Sequence, residues 1–140
     1  MLYLDTSLLI AALTREARTP EIQTWLSAQD PATLAISDWV ITEFSAALSI
    51  KIRKQHLSVA HRAKVLSAFN SLVKQTLTLI PLSSMDFLTA ARLADQYSTG
   101  LRAGDALHLA LASSQGACIY SLDKTLVTAA IQLGIRAKLL

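Results

Sequence analysis

The chain has 140 residues, 52% of them hydrophobic and 16% charged, with four Gly and three Pro. This balance predicts a single domain spanning residues 1–140 that buries about 70% of its unfolded surface, and it excludes a disordered, collagenous or linker-dominated protein. Thirteen basic against ten acidic side chains give a net charge of +3, compatible with an anionic partner without demanding one. The single cysteine, Cys118, has no internal disulfide partner, so a reducing compartment, the cytoplasm, is expected. The longest run free of Asp, Glu, Lys and Arg, Ala106 to Leu122, carries His108, Ser121 and other polar residues. It falls short of the roughly 20 apolar residues a span needs, so no membrane is expected. Asp5 and the short run Leu8 to Leu13 also argue against an export signal.

The chain alternates short apolar runs with helical periodicity. Leu2 to Leu4 reads as a strand ending at Asp5, followed by a helix through about Ala17 with Thr6 or Ser7 as its cap. Pro20 opens a second helix running to about Ala28, and Thr33 to Ile36 reads as a strand. Ser37 is the expected cap of a long helix from Asp38 to about Arg53, and Ser58 that of another from Val59 to Gln75, the two forming a hairpin. Leu77 to Ile80 is β-leaning and stops at Pro81. Ser83 and Asp86 form a capping box that starts a helix ending near Gly100. A helix from Ala103 to Gln115, a strand from Ala117 to Ser121, a helix from Lys124 to Leu133 and a last strand from Ile135 to Leu139 complete the pattern. Strands alternating with helices predict an α/β fold with a parallel sheet covered on both faces.

Four acids stand out against this background. Asp5 and Asp123 end the apolar segments LYLD and ACIYSLD, at strand-to-helix turns where parallel sheets place ligand sites. Glu43 lies on the margin of the apolar stripe of Val40, Phe44, Ala47 and Leu48. Asp105 shares a face with His108, Leu109 and Ala112 in a helix that is apolar nearly all round. Two like charges about 4 Å apart repel by roughly 4 kcal/mol at an effective dielectric near 20, so four converging carboxylates require a cation. An Asp/Glu set without Cys or spaced His suits Mg²⁺ or Mn²⁺, not Zn²⁺. Taken singly, each acid also has a structural reading: Asp5 and Asp123 as helix caps, Asp105 at a helix N-terminus, Glu43 paired with Lys51 or a basic residue elsewhere. The joint placement is what points to a site.

LYLDTSLLIAAL, TEFSAAL, LRAGDALHLALA and YSLDKTL together resemble the PIN-domain nucleases, and within them the VapC-type toxins of bacterial toxin–antitoxin pairs. The resemblance spans nearly the whole chain in the right order, RAGDALHLA being its most specific piece. It implies a three-layer α/β/α fold with a central parallel sheet of about five strands, and metal-dependent endonucleolytic cleavage of RNA. It also implies neutralisation by a small antitoxin whose segment lies in the groove, and frequent homodimers. Asp5, Glu43, Asp105 and Asp123 match the family's metal-binding acids, with Thr6, Ser7 and Ser121 as supporting polar neighbours.

On this reading Mg²⁺ or Mn²⁺ bridges the carboxylates and a phosphate oxygen, with Asp5 and Asp105 as the principal ligands. His108, one turn from Asp105, is either a hydrogen-bonded core residue or a general base, and the first is the commoner outcome on an apolar face. Trp25, Trp39, Phe44 and Phe69 read as core rather than as a base-stacking platform. Setting the four acids aside leaves thirteen basic side chains against six acidic. Arg15, Arg18, Arg102 and Lys124 are the candidate phosphate contacts, ahead of the cluster Lys51, Arg53, Lys54, Arg62 and Lys64. Two rivals remain: a catalytically idle binding module, and a phosphate-ester hydrolase with Asp5 as nucleophile. The latter lacks the usual second Asp two residues on, where Ser7 stands.

Overall fold

The computed structural model describes residues 1–140. In chain order the elements are β1 (Leu2–Leu4), α1 (Thr6–Leu13), α2 (Thr19–Ser27), β2 (Leu34–Ser37), α3 (Asp38–Arg53), α4 (Val59–Gln75), β3 (Thr78–Ile80), α5 (Ser84–Ala94), α6 (Ala103–Ser114), β4 (Cys118–Ser121), α7 (Lys124–Gln132) and β5 (Ala137–Leu139). Short 3₁₀ turns occupy Pro31–Thr33 and Tyr97–Thr99. All five strands are parallel, in the order β3-β2-β1-β4-β5. The sheet grows outward from β1 to β3, then returns to the other side of β1 at β4. That reversal puts the switch point between the carboxyl ends of β1 and β4, where open parallel sheets form ligand crevices.

Successive strand residues point to opposite faces, so burial of consecutive residues means that both faces are covered. Tyr3 and Leu4 in β1 are both fully buried, as is every residue of β2 from Leu34 to Ser37. Helices therefore form the two outer layers of an α/β/α sandwich. The edge strands β3 and β5 are three residues each and mostly exposed, which limits unwanted edge pairing. In α6 every residue from Ala106 to Ala112 is buried, as its all-round apolar pattern requires. Truncating Leu109 or Leu111, both 0% exposed, to Ala should cost about 2–5 kcal/mol. Phe44 and Phe69 stack at 3.9 Å between ring centroids and join the α3–α4 hairpin, while Trp25 packs on Tyr120, so these rings serve the core. No helix is long and apolar enough to cross a membrane.

Three local expectations are corrected. Helix α1 ends at Leu13, not Ala17, because Thr14 turns extended and donates its hydroxyl to Ile10 O at 2.7 Å. Two further carbonyls at that end are met from α2, Ala11 O by Thr19 Oγ1 at 2.7 Å and Ala12 O by Gln23 Nε2 at 2.8 Å. The caps shift as well. Asp5, not Thr6 or Ser7, caps α1, and Ser37 holds the N-cap position of α3 without using its hydroxyl there. Helix α5 starts as expected, Ser83 N donating to Asp86 Oδ2 at 2.8 Å, but ends at Ala94. The chain then makes a separate 3₁₀ turn closed by Gly100 at φ 70°, a left-handed conformation that Gly adopts without strain.

Candidate active site

The switch point is built from two helix starts. Asp5 follows β1 directly, and its N–H donates to Tyr120 O across the sheet at 3.1 Å. Asp123 follows β4 after one intervening residue, Leu122. Both acids do cap helices: Asp5 Oδ1 accepts from Ser7 N at 2.6 Å and Leu8 N at 3.3 Å, and Asp123 Oδ1 from Thr125 N at 2.8 Å and Leu126 N at 3.2 Å. Ser121 joins the two. Its hydroxyl donates to Asp5 Oδ2 and accepts from Asp123 N at 2.8 Å. Ser7 Oγ donates to Asp5 Oδ1 at 2.6 Å and accepts from Leu122 N at 3.0 Å. Thr6, Ser7 and Ser121 thus all touch the acids or the backbone that carries them.

Helices α3 and α6 bring the other two acids to the same place. A cleft of about 420 Å³ is lined by Glu43, Asp105 and Asp123 together with Trp39, Arg102 and Gly104. Asp5 is 4% exposed and stands behind the cleft rather than on its wall. Glu43 Oε2 accepts from Thr6 Oγ1 at 2.6 Å and pairs with His108 Nε2 at 2.6 Å. Lys51 is not its partner. That ammonium pairs with Glu16 at 2.7 Å instead.

The electrostatics follow from these contacts. Burial pushes the Glu43 carboxyl up, but the hydrogen bond and charge of His108, the Thr6 hydroxyl and the nearby Trp39 indole outweigh it and hold Glu43 below the ordinary range. Asp105 goes the other way. Burial raises its pKa, and the Asp123 and Glu43 charges add to the rise, while the Arg102 backbone and His108 work against it. Asp105 and Asp123 have no ion pair with any Lys, Arg or His, so the cleft carries negative charge that the protein leaves unneutralised. As the side chains stand, no three Asp, Glu, His or Cys donors converge at metal-ligand spacing. The donor chemistry nevertheless suits a hard cation: the cleft wall offers carboxylate oxygens, and its nearest imidazole has both ring nitrogens engaged within the protein.

The four candidate phosphate contacts separate. Arg102 lines the acidic cleft, and Lys124 lines an adjoining hollow with Ser98, Thr99 and Thr125. Arg18 does not approach the acids. Its guanidinium grips Glu21 through two hydrogen bonds of 2.6 and 3.0 Å and donates to Leu140 O at 2.6 Å, tying α2 to the C-terminus. Arg15 lines a different cavity, about 620 Å³, between the end of α1 and the α3–α4 turn with His56 and His61. That cavity is the larger one but has no carboxylate on its wall, so the chemistry singles out the smaller cleft.

Two wall residues differ from the sequence reading: Trp39, expected in the core, is only partly buried against it and lines the cleft, and Gly104 was passed over. Trp39 has a buried indole N–H with no hydrogen-bond partner, and its ring separates the acidic cleft from an apolar groove. Gly104 lies in the first turn of α6, where a Cβ would meet Glu43 Oε1 at 2.8 Å and Trp39 Nε1 at 3.3 Å. A glycine inside a helical pattern, where Ala is the better helix former, was the available signal.

The family model described as "PIN domain" matches residues 2–131. No curated protein matches the chain in sequence. Among solved structures, FitAcB from Neisseria gonorrhoeae is similar over 98% of this chain and 96% of its own, at a TM-score of 0.70 and 16% identity. VapC20 of Mycobacterium tuberculosis, described as a sarcin-ricin-loop-cleaving toxin, is similar over 92% of this chain and 95% of its own, at 0.74 and 17%. VapBC2 from Rickettsia felis, bound to a DNA fragment from its promoter, is similar over 99% and 98%, at 0.66 and 16%. At such identities the likeness is one of fold.

Proposed function

The chain belongs to the PIN-domain family, and from that premise we propose that it is a metal-dependent endoribonuclease, the toxin of a toxin–antitoxin pair. The family is one of nucleases, so hydrolysis of nucleic-acid phosphodiesters is the class of reaction to which the cleft belongs. The observation that carries the reading is that Glu43, Asp105 and Asp123 line one cleft at the switch point of the sheet, Asp105 and Asp123 without a basic partner. Glu43, Asp105 and Asp123, with Asp5 behind them, are the residues that would hold Mg²⁺ or Mn²⁺. A bound divalent ion supplies an acidified water and neutralises charge on the phosphate.

The chain's own groups have separable tasks. Glu43 stays ionised because Thr6 and His108 hydrogen-bond its charge. Asp5 orients rather than attacks. Both its oxygens are hydrogen-bonded and it is 4% exposed, which counts against the phosphate-ester rival with Asp5 as nucleophile. Arg102 and Lys124, at the rim, supply positive charge where an RNA backbone would pass. The apolar groove, about 320 Å³ and lined by Trp39, Phe87, Ala91 and Leu107 among others, adjoins the acids through Trp39 and Gly104. Apolar and acidic surfaces side by side suit an antitoxin segment that carries both apolar and basic side chains. Exposed Met85, Phe87 and Leu88 on α5 support pairing with a second copy of the chain.

The absence of three converging donors is what favours the idle binding module. Incubation of the purified protein with a mixed RNA pool separates the two. The nuclease reading expects fragments only with added Mg²⁺ or Mn²⁺ and none from Asp105→Asn. Equal cleavage by wild type and variant, or none by wild type with either metal, refutes it.

A further inference from the structure

Behind the acid cleft runs a buried polar line of which the proposed reaction uses only the His108 hydrogen bond to Glu43. Ser37 at the end of β2, Tyr3 in β1 and His108 in α6 are 0%, 0% and 2% exposed. Ser37 Oγ and Tyr3 OH are 2.7 Å apart, Tyr3 OH and His108 Nδ1 2.8 Å, and His108 Nε2 and Glu43 Oε2 2.6 Å. Burying such groups costs free energy unless each finds a partner, and here each does. Ala at 37, Phe at 3 and Leu at 108 would satisfy the same core without that requirement, so packing alone does not account for the line. Its single outlet to the cleft is Glu43.

The geometry at that outlet is asymmetric. An ionised carboxylate only accepts, so His108 Nε2 carries the proton it shares with Glu43. Thr6 Oγ1 donates to the same oxygen, Oε2, at 2.6 Å. Glu43 Oε1 takes no bond from His108 or Thr6; the Trp39 indole N–H lies near it without completing a hydrogen bond, and a Cβ at Gly104 would press on it at 2.8 Å. The imidazole is held at both nitrogens, so it cannot rotate without losing two bonds. It also cannot take a proton from a water in the cleft, since neither nitrogen is free.

We propose that His108 is a positioning residue: backed by Tyr3 and Ser37, it clamps one oxygen of Glu43 so that the other, bound by neither His108 nor Thr6, is presented between Trp39 and Gly104 to a cation in the cleft. This rests on the reading of the cleft as a cation site. Metal-bound groups oriented by such outer partners typically lose about 10–100-fold in affinity when the partner is removed. His108→Leu should therefore weaken Mn²⁺ binding, measured by calorimetric titration, by about that factor. His108→Gln, whose amide extends to the position of Nε2, should restore most of it, and Tyr3→Phe should fall between wild type and His108→Leu.

A second readout needs neither metal nor RNA. In the metal-free protein the shared Nε2 proton should give a far-downfield proton NMR resonance that is lost in Glu43→Ala and kept in Asp105→Asn. Should His108→Leu fail to fold, that resonance and Tyr3→Phe decide the matter. A folded His108→Leu that binds Mn²⁺ within twofold of wild type, or a resonance unaltered in Glu43→Ala, overturns the proposal while leaving the cation reading intact. Failure of the wild type itself to bind Mn²⁺ overturns the cation reading, and the proposal with it.

Discussion

The acid cleft and the basic surface around α1, α2 and α3 treat charge in opposite ways. On the basic side, Lys51 pairs with Glu16, and Arg18 pairs with Glu21 and the C-terminal backbone. These charges are matched by neighbours and hold elements together. In the cleft, Asp105 and Asp123 lack a basic partner, and burial first, then the Asp123 charge, makes Asp105 harder to ionise. A fold tolerates that local cost where something outside the chain completes the balance. What distinguishes the cleft is two unpaired acids sharing one partly buried hollow, not the want of a partner alone.

The sharpest way to break this contrast is to neutralise one side of it. Asp105→Asn or Asp5→Asn should lower RNA cleavage roughly 100-fold or more, equivalent to about 3 kcal/mol of barrier, measured with a fluorogenic RNA at saturating Mn²⁺. Retained cleavage in both variants would break the acid assignment. Next in size is the cation itself. Mn²⁺ at a hundred times its dissociation constant should stabilise the folded chain by about 2.7 kcal/mol, raising the melting temperature by roughly 5–10 °C, and should do so far less in Asp105→Asn.

A smaller effect sharpens the comparison without metal. The raised pKa of Asp105 favours folding below its ordinary range, and that advantage is lost as pH rises through the raised value. Metal-free Asp105→Asn should therefore be more stable than wild type at pH 7, by urea denaturation, with the difference closing on acidification. Glu43 has the opposite sign. Its depressed pKa stabilises above the ordinary carboxyl range and is lost as pH falls through the depressed value, so Glu43→Gln should destabilise at pH 7. Smallest of all, Lys51→Ala should cost about 1 kcal/mol or less and leave cleavage unchanged. Loss of cleavage there would mean that a partnered cation belongs to the site after all.

The sequence made most elements legible because helix and strand periodicity, Gly stops and the Ser83–Asp86 box are encoded within a few residues. It missed where α1 and α5 end, since the carbonyls at the end of α1 are met by Thr19 and Gln23 from the next helix. It brought the four acids to one end of the sheet but did not separate Asp5, enclosed behind the wall, from the three that line it. The bland reading of His108 as a hydrogen-bonded core residue matches the contacts, though its partners Tyr3 and Glu43 were not foreseen. Gly104 was passed over because the reason for its missing side chain lies on another helix.

What the order of amino acids determined alone was the α/β alternation, the strand ends that carry Asp5 and Asp123, and the all-carboxylate chemistry of the candidate set. Each of these depends on neighbours one to four residues away or on composition. Which charges are matched, which oxygen of Glu43 is clamped and which is left open, and that Arg18 serves the C-terminus were decided only in three dimensions. The partners concerned are 65 residues apart for His108 and Glu43 and 122 for Arg18 and Leu140, and only the packed sheet and helices bring such distant groups within hydrogen-bonding range.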